Sequence, residues 1–403
     1  MKLACEETLA SLTKDSTTGL PGVTLAVFNQ NGTQTSSECI VFSRCLGRAQ
    51  KDSDEEITLE TLFSGFSCTK LLTTICVLQL TEKGLINLDN GVGSILPELK
   101  DPDIISEGPR GSFQLKPATN KITLRHLITH TSGLSYDAMH PLLVAWRKSR
   151  GEEPLVMSGR VCEAFSLPLL FEPGTSWVYG AGLDWAGILI ERVSGKALNI
   201  YMDENIFNPL GLRRSTFHLR QRPDIEKDAA QMWLRNDTGK LVPILSPYPV
   251  DAQDDSGGMG LITSTSDLTS VLRDLLRDTP LLLKAETVET MFTPQFQHGS
   301  PMYDGLLKQK SLHEQLTGDS SGCPQVAFGL GGLVTQGTVP NLPAKTLTWN
   351  GMPNIGWFIN REQRMGAIFV TQLLPPGDPK SVGILGEFWR ELWARHADFE
   401  APS

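Results

Sequence analysis

Strand-forming runs sit at the two ends of this 403-residue chain and are scarce between them. Near the N-terminus, Pro21-Gly22 introduces the apolar and β-branched run Val23 to Phe28, which ends at a turn, Asn29-Gln30-Asn31-Gly32, and predicts a return strand through Cys39 to Leu46. The signal returns at Val326 to Thr335, Lys345 to Gly351, Ile355 to Asn360 and Met365 to Leu374, with the last two joined as a hairpin across Arg361 to Arg364. Helical periods fill most of the interval. The arrangement predicts an α+β fold: one antiparallel sheet domain built from residues 1–65 and 256–403, with a mostly helical lobe, 66–255, inserted. An amphipathic helix over Met1 to Lys14 and another over Val382 to Arg395 would flank the sheet, and a ligand site belongs at the junction of the lobes.

That junction carries Phe63-Ser64-Gly65-Phe66-Ser67-Cys68-Thr69-Lys70, at the head of the strongest helix in the chain. Leu71 to Lys83 are good helix formers with apolar Leu71, Leu72, Ile75, Leu78 and Leu80, and Gly84 follows as a C-cap glycine. Residues three apart share a helix face, so the Lys70 amine can lie beside the Ser67 hydroxyl, and the helix N-terminus favours an oxyanion formed there. A serine at a helix start is also an ordinary N-cap, so the pair needs companions to count as chemistry. Cys68 would point to another face than Ser67 and Lys70.

A candidate companion is Tyr179 in Glu172-Pro173-Gly174-Thr175-Ser176-Trp177-Val178-Tyr179-Gly180-Ala181, a loop that opens a helix from Leu183 to Val193. A loop tyrosine is usually packing. Beside a Ser/Lys pair, however, it becomes a third proton-handling group, since a neighbouring ammonium favours the phenolate.

Other features close off alternatives. The net charge of −9 argues against nucleic-acid binding, and no stretch reaches the twenty or so apolar residues that span a bilayer. Seven cysteines without a C-x-x-C pair do not make a zinc or disulfide framework, which suits reduced thiols in the cytosol. His126 and His130 stand four apart, but no Glu sits between them as a metalloprotease helix requires, so the segment reads as a structural helix and turn. Ser256-Gly257-Gly258-Met259-Gly260 lacks the lysine and preceding strand of a phosphate loop and predicts a flexible turn before a capped helix, Asp267 to Arg277.

Taken in order, Ser67-Cys68-Thr69-Lys70, Tyr179-Gly180-Ala181 and Trp349-Asn350-Gly351 resemble the three motifs of the serine β-lactamase and penicillin-binding-protein superfamily, class C-like. Leu124 to Leu134 and Gly257 to Leu268 resemble it too. Ala181 stands where an Asn would bind a β-lactam side-chain amide, and Trp349 where a Lys would pair with the drug's carboxylate, so antibiotic hydrolysis is not expected. Tyr179 to Trp185 and Trp349 to Asn354 are similar instead to fungal secondary-metabolite acyltransferases of the lovastatin side-chain transferase type, and to class C-like carboxylesterases.

The resemblance implies Ser67 as nucleophile, with Tyr179 and Lys70 moving its proton. It implies an oxyanion hole from the backbone N–H of Ser67 and of Gly351 or Met352, and substrate contacts at Trp349, Asn350, Gly180, Ala181 and Trp357. It also implies an acyl thioester or ester donor, which an acyl carrier protein could present, a hydroxylated small-molecule acceptor, and no cofactor or metal. Ester hydrolysis by the same residues, and an inactive binding protein on the same fold, are the alternatives.

Overall fold

The computed structural model describes residues 2–30, 40–50, 55–317, 325–337 and 341–399. Seven strands form the main sheet: β1 (Val23–Asn29), β2 (Ile40–Leu46), β3 (Val326–Phe328), β4 (Leu333–Thr335), β5 (Thr346–Gly351), β6 (Ile355–Asn360) and β7 (Met365–Thr371). They run in the order β2-β1-β7-β6-β5-β4-β3, every neighbouring pair antiparallel. β1 lies against β7 from Val23↔Thr371 to Asn29↔Met365, so the two ends of the chain close one sheet. Asn31, Gly32 and Cys39, in the expected turn and return strand, lie outside the described residues.

The central strands read as unbroken apolar runs because both faces are covered. Every residue of β1, β6 and β7 is buried. Val23, Leu25 and Val27 join Phe358 and Phe369 against the flanking helices α1 (Cys5–Lys14) and, at the other terminus, Pro379–Ala394, where the Phe358 and Trp389 rings meet edge-on at 4.8 Å. Ala26, Phe28, Ile368, Trp349 and Trp357 face the larger core shared with the inserted lobe. Through that core runs α2 (Thr69–Glu82), whose residues Thr69 to Leu80 are all buried. Gly84 ends it in the left-handed conformation, at φ +69°.

The interval 66–255 is less purely helical than the sequence predicts. Two short hairpins, Asp103–Glu107 with Phe113–Pro117 and Met232–Arg235 with Leu241–Ile244, lie within it. Both carry charged or exposed residues, which blurs the apolar alternation that marks a strand. The second hairpin pairs in parallel with Leu373–Leu374, so the last expected strand divides after Thr371. The run Val326 to Thr335 is likewise two strands, turned at Gly329 to Gly332 with Gly331 at φ +98°.

Candidate active site

Ser67 is delivered by a strand and a sharp turn. Leu62–Ser64 pairs with Ile262–Ser264, Gly65 N donates to Leu261 O at 2.9 Å, and Phe66 then takes a left-handed φ of +45° with its side chain in the core. Such a conformation costs a phenylalanine about 1–3 kcal/mol, which the surrounding packing must offset. Ser67 follows in a single 3-10 turn, Phe66–Cys68, and Lys70 is the second residue of α2. The helix proper therefore begins two residues after Ser67. Lys70 Nζ donates to Ser67 Oγ at 3.3 Å.

Tyr179 completes the constellation. Its hydroxyl lies 2.5 Å from Ser67 Oγ, and its ring centroid is 4.8 Å from Lys70 Nζ. The loop that carries it is pinned by three hydrogen bonds: Ser135 Oγ to Tyr179 O (3.1 Å), Val178 N to His130 O (3.0 Å) and Gly180 N to His130 Nδ1 (3.4 Å). A Cβ on Gly180 would lie 2.3 Å from Leu134 O, so only glycine allows this approach. The following helix, α3 (Gly182–Ser194), ends at Gly195 with φ +69°.

His130 packs between the Tyr179 and Trp349 rings, at centroid distances of 4.7 and 6.2 Å. Burial, with the Lys70 charge adding to it, holds its imidazole well below the ordinary range, so it serves as a neutral aromatic and an acceptor. His126 caps the helix Leu124–Ile128 together with Thr123. Both histidines therefore have the structural duties expected of them. Cys68 is fully buried, and burial pushes its thiol up to about 12, which makes it a poor nucleophile beside Ser67.

Gly351 ends β5 against the Ser67 turn, where a Cβ would lie 2.5 Å from Gly65 O and 3.2 Å from Cys68 Sγ. The expected substrate contacts divide. Asn350 is partly exposed and lines a small cavity of about 10 Å³ with Gln315, Val382, Leu385 and Met352, the last of these expected as an oxyanion-hole residue. Trp349 is 2% exposed and packs against Tyr179; Trp357, opposite it on β6, and Ala181 are fully buried, and Gly180 is buried. The two tryptophans are buried because β5 and β6 are covered on both faces, and Gly180 and Ala181 because they lead into α3 in the core.

Three groups at the site escaped the sequence reading. Lys70 Nζ also donates to Tyr136 OH at 3.0 Å and Gly258 O at 2.7 Å, and Tyr136 OH donates to Asp184 Oδ2 at 2.8 Å. Burial, helped by the Asp184 charge, lifts the Tyr136 phenol well above its ordinary range, so it remains a donor. Burial also raises the Asp184 carboxyl, opposed chiefly by the Lys70 charge and then by bonds from Ser256 and Tyr136. The glycine segment expected as a flexible turn is buried: a Cβ on Gly258 would fall 2.4 Å from Asp184 Oδ2. The available signal was an aspartate in the first turn of a helix that is otherwise apolar through Ile190, since buried carboxylates are rare without partners.

With this geometry stand the similarities to known proteins. The family profile described as Beta-lactamase matches residues 8–385. The chain belongs to the beta-lactamase family. Within that family, it is 37% identical over 334 residues to "Acyltransferase calJ" of Penicillium decumbens, covering 82% of this chain and 80% of that one. It is 35% identical to the monacolin J acid methylbutanoyltransferase of Aspergillus terreus, covering 88% of each. It is also 33% identical to the lovastatin esterase of Penicillium rubens, covering 80% and 82%. The solved structure of an Aspergillus terreus simvastatin synthase mutant superposes with a TM-score of 0.86 at 32% identity, over 98% of this chain and 97% of that one. This beta-lactamase-family protein is therefore an enzyme of the serine acyltransferase and hydrolase kind.

Proposed function

We propose that this enzyme moves an acyl group from a thioester or ester donor, through an ester on Ser67, to a hydroxyl of a secondary metabolite. The observation that carries the reading is the shared contact at Ser67 Oγ, with the Tyr179 hydroxyl at 2.5 Å and the Lys70 amine at 3.3 Å. Ser67 Oγ attacks the acyl carbon as the Tyr179 oxygen takes its proton, and the Lys70 ammonium stabilises the phenolate or passes a proton along. Backbone N–H groups of Ser67 and of Gly351 or Met352 receive the oxyanion; the close approach of Gly351 to the Ser67 turn supports this pairing. The carbon–sulfur or carbon–oxygen bond of the donor then breaks, and the proton returns through Tyr179 to the leaving group. In the second half-reaction the acceptor hydroxyl attacks the acyl-serine, Tyr179 takes its proton, and Ser67 Oγ leaves and recovers one.

The acceptor is a hydroxylated natural product, by likeness to the monacolin J acid methylbutanoyltransferase, and the donor is an acyl thioester or ester, which an acyl carrier protein could present. Five described cysteines are unpaired, and among the described residues no helix is long and apolar enough to cross a membrane, which supports a cytosolic setting. Hydrolysis of the same acyl-serine by water is the second reading, favoured by the likeness to lovastatin esterase. The test is intact-mass detection of an acyl adduct from short acyl thioesters, followed by peptide mapping. The adduct should map to Ser67; no adduct, or one on another residue, would overturn the mechanism.

A further inference from the structure

Lys70 is 2% exposed, and among the described residues no carboxylate touches it; its amine meets Ser67 Oγ, Tyr136 OH and Gly258 O. Two of these three oxygens belong to residues that donate to one buried anion. Asp184, fully buried in the first turn of α3, accepts the Tyr136 hydroxyl proton on Oδ2. On Oδ1 it accepts from Gly258 N at 3.2 Å and from the Ser256 hydroxyl. Because Tyr136 spends its only proton on Asp184, its oxygen can only accept from Lys70.

From this connectivity we infer that Asp184 is a positioning residue for Lys70, a remote counter-charge that aims the amine at Ser67 and Tyr179 through Tyr136 and the Gly258 loop. The inference rests on the Ser67, Lys70 and Tyr179 reading. A carboxylate in direct contact would compete with Ser67 for the amine's short reach. One step removed, the anion offsets the buried charge while leaving an N–H for the nucleophile. The space is built for this relay and nothing larger, since a Cβ on Gly258 would strike Asp184 Oδ2. The segment from Gly257 to Leu261 is further fixed on α2, where Thr73 Oγ1 donates to Gly257 O at 2.7 Å and Leu261 N donates to Thr69 Oγ1 at 3.1 Å. The titratable groups facing the pair from the surrounding elements are Tyr136, Tyr179, His130, Cys68 and Tyr248. None of them is a carboxylate.

The experiment compares Asp184→Asn, Tyr136→Phe and Ser67→Ala with the parent enzyme, by the pH dependence of acylation from a short acyl thioester. Asp184→Asn keeps the shape and removes the charge. Its kcat/KM should fall on the order of 10²-fold, chiefly through kcat. The basic limb of its profile should move to lower pH, because the anion that offsets the buried positive charge is gone. Tyr136→Phe cuts one of the two routes and should move the limb in the same direction with a smaller loss; it decides the matter alone if Asp184→Asn does not fold. Parent rates, or losses with an unmoved profile, would reduce Asp184 to a structural role and overturn the inference. Activity surviving in Ser67→Ala would instead overturn the underlying reading.

Discussion

The hydroxyl of Tyr179 lies 2.5 Å from that of Ser67, although 112 residues separate them in the chain. The contact exists because a strand, a strained turn and a buried helix present Ser67, while a loop fixed by Ser135 and His130 presents Tyr179. Each support suggests a measurement.

Ser67→Ala should abolish turnover and any acyl adduct while leaving the fold intact, since the lost oxygen is the proposed bond-forming atom. Cys68→Ala should still form the adduct. Intact mass after incubation with an acyl thioester reads both, and an adduct that persists without Ser67 but vanishes without Cys68 would reverse the assignment.

Tyr179→Phe and Lys70→Ala should each slow acylation by roughly 10² to 10⁴-fold, the usual cost of a lost acid or base group. The two side chains serve one proton transfer, so the double variant should be little worse than either single one. Additive losses in single-turnover kinetics would mean that they work independently.

Gly351→Ala would set a Cβ 2.5 Å from Gly65 O and push β5 away from the Ser67 turn. Loss of one oxyanion donor predicts a fall of about 10² to 10³-fold in kcat. Gly383→Ala, in the C-terminal helix with open space around it, should leave kcat unchanged. Equal effects at the two glycines would argue against an oxyanion role for this strand end.

Much of this was legible in the sequence, and what was not has physical reasons. Ser67 and Lys70 announce themselves because their spacing is one helical turn, a local property. The strands Ile355–Asn360 and Thr346–Gly351 were readable within a residue at their ends because apolar runs bounded by turn residues are local too. Tyr136, Asp184 and Gly258 were not legible as a unit. They come from a loop, a helix and a second loop, and only packing around Lys70 makes them partners. Trp349 and Trp357 look in sequence like a cleft wall; which face a strand buries depends on the layer laid over it, and here both faces are covered.

His313 tests the same physics through stability. It is buried, neither ring nitrogen has a hydrogen-bond partner among the described residues, and burial lowers its pKa from 6.5 to about 4. Only the unfolded chain takes up the proton between those values, so its contribution to stability is whole above pH 6.5 and is lost as pH falls towards 4. The slope is at most about 1.4 kcal/mol per pH unit. His313→Leu should flatten the acid side of the stability curve measured by urea denaturation; an unchanged acid slope would contradict the assignment.

The central claim is that the acyl group on Ser67 passes to an alcohol in preference to water. Bound acceptor competes by proximity, and effective molarities of about 10⁵ M or more can overcome water at tens of molar. The most direct measurement is the partition of a preformed acyl-enzyme, chased with a panel of hydroxylated polycyclic or polyketide acceptors, into ester and free acid. The account predicts that ester exceeds free acid with at least one acceptor and rises with its occupancy. Free acid dominating across the whole panel, with rapid cleavage of simple esters, would contradict it and identify the enzyme as a carboxylesterase.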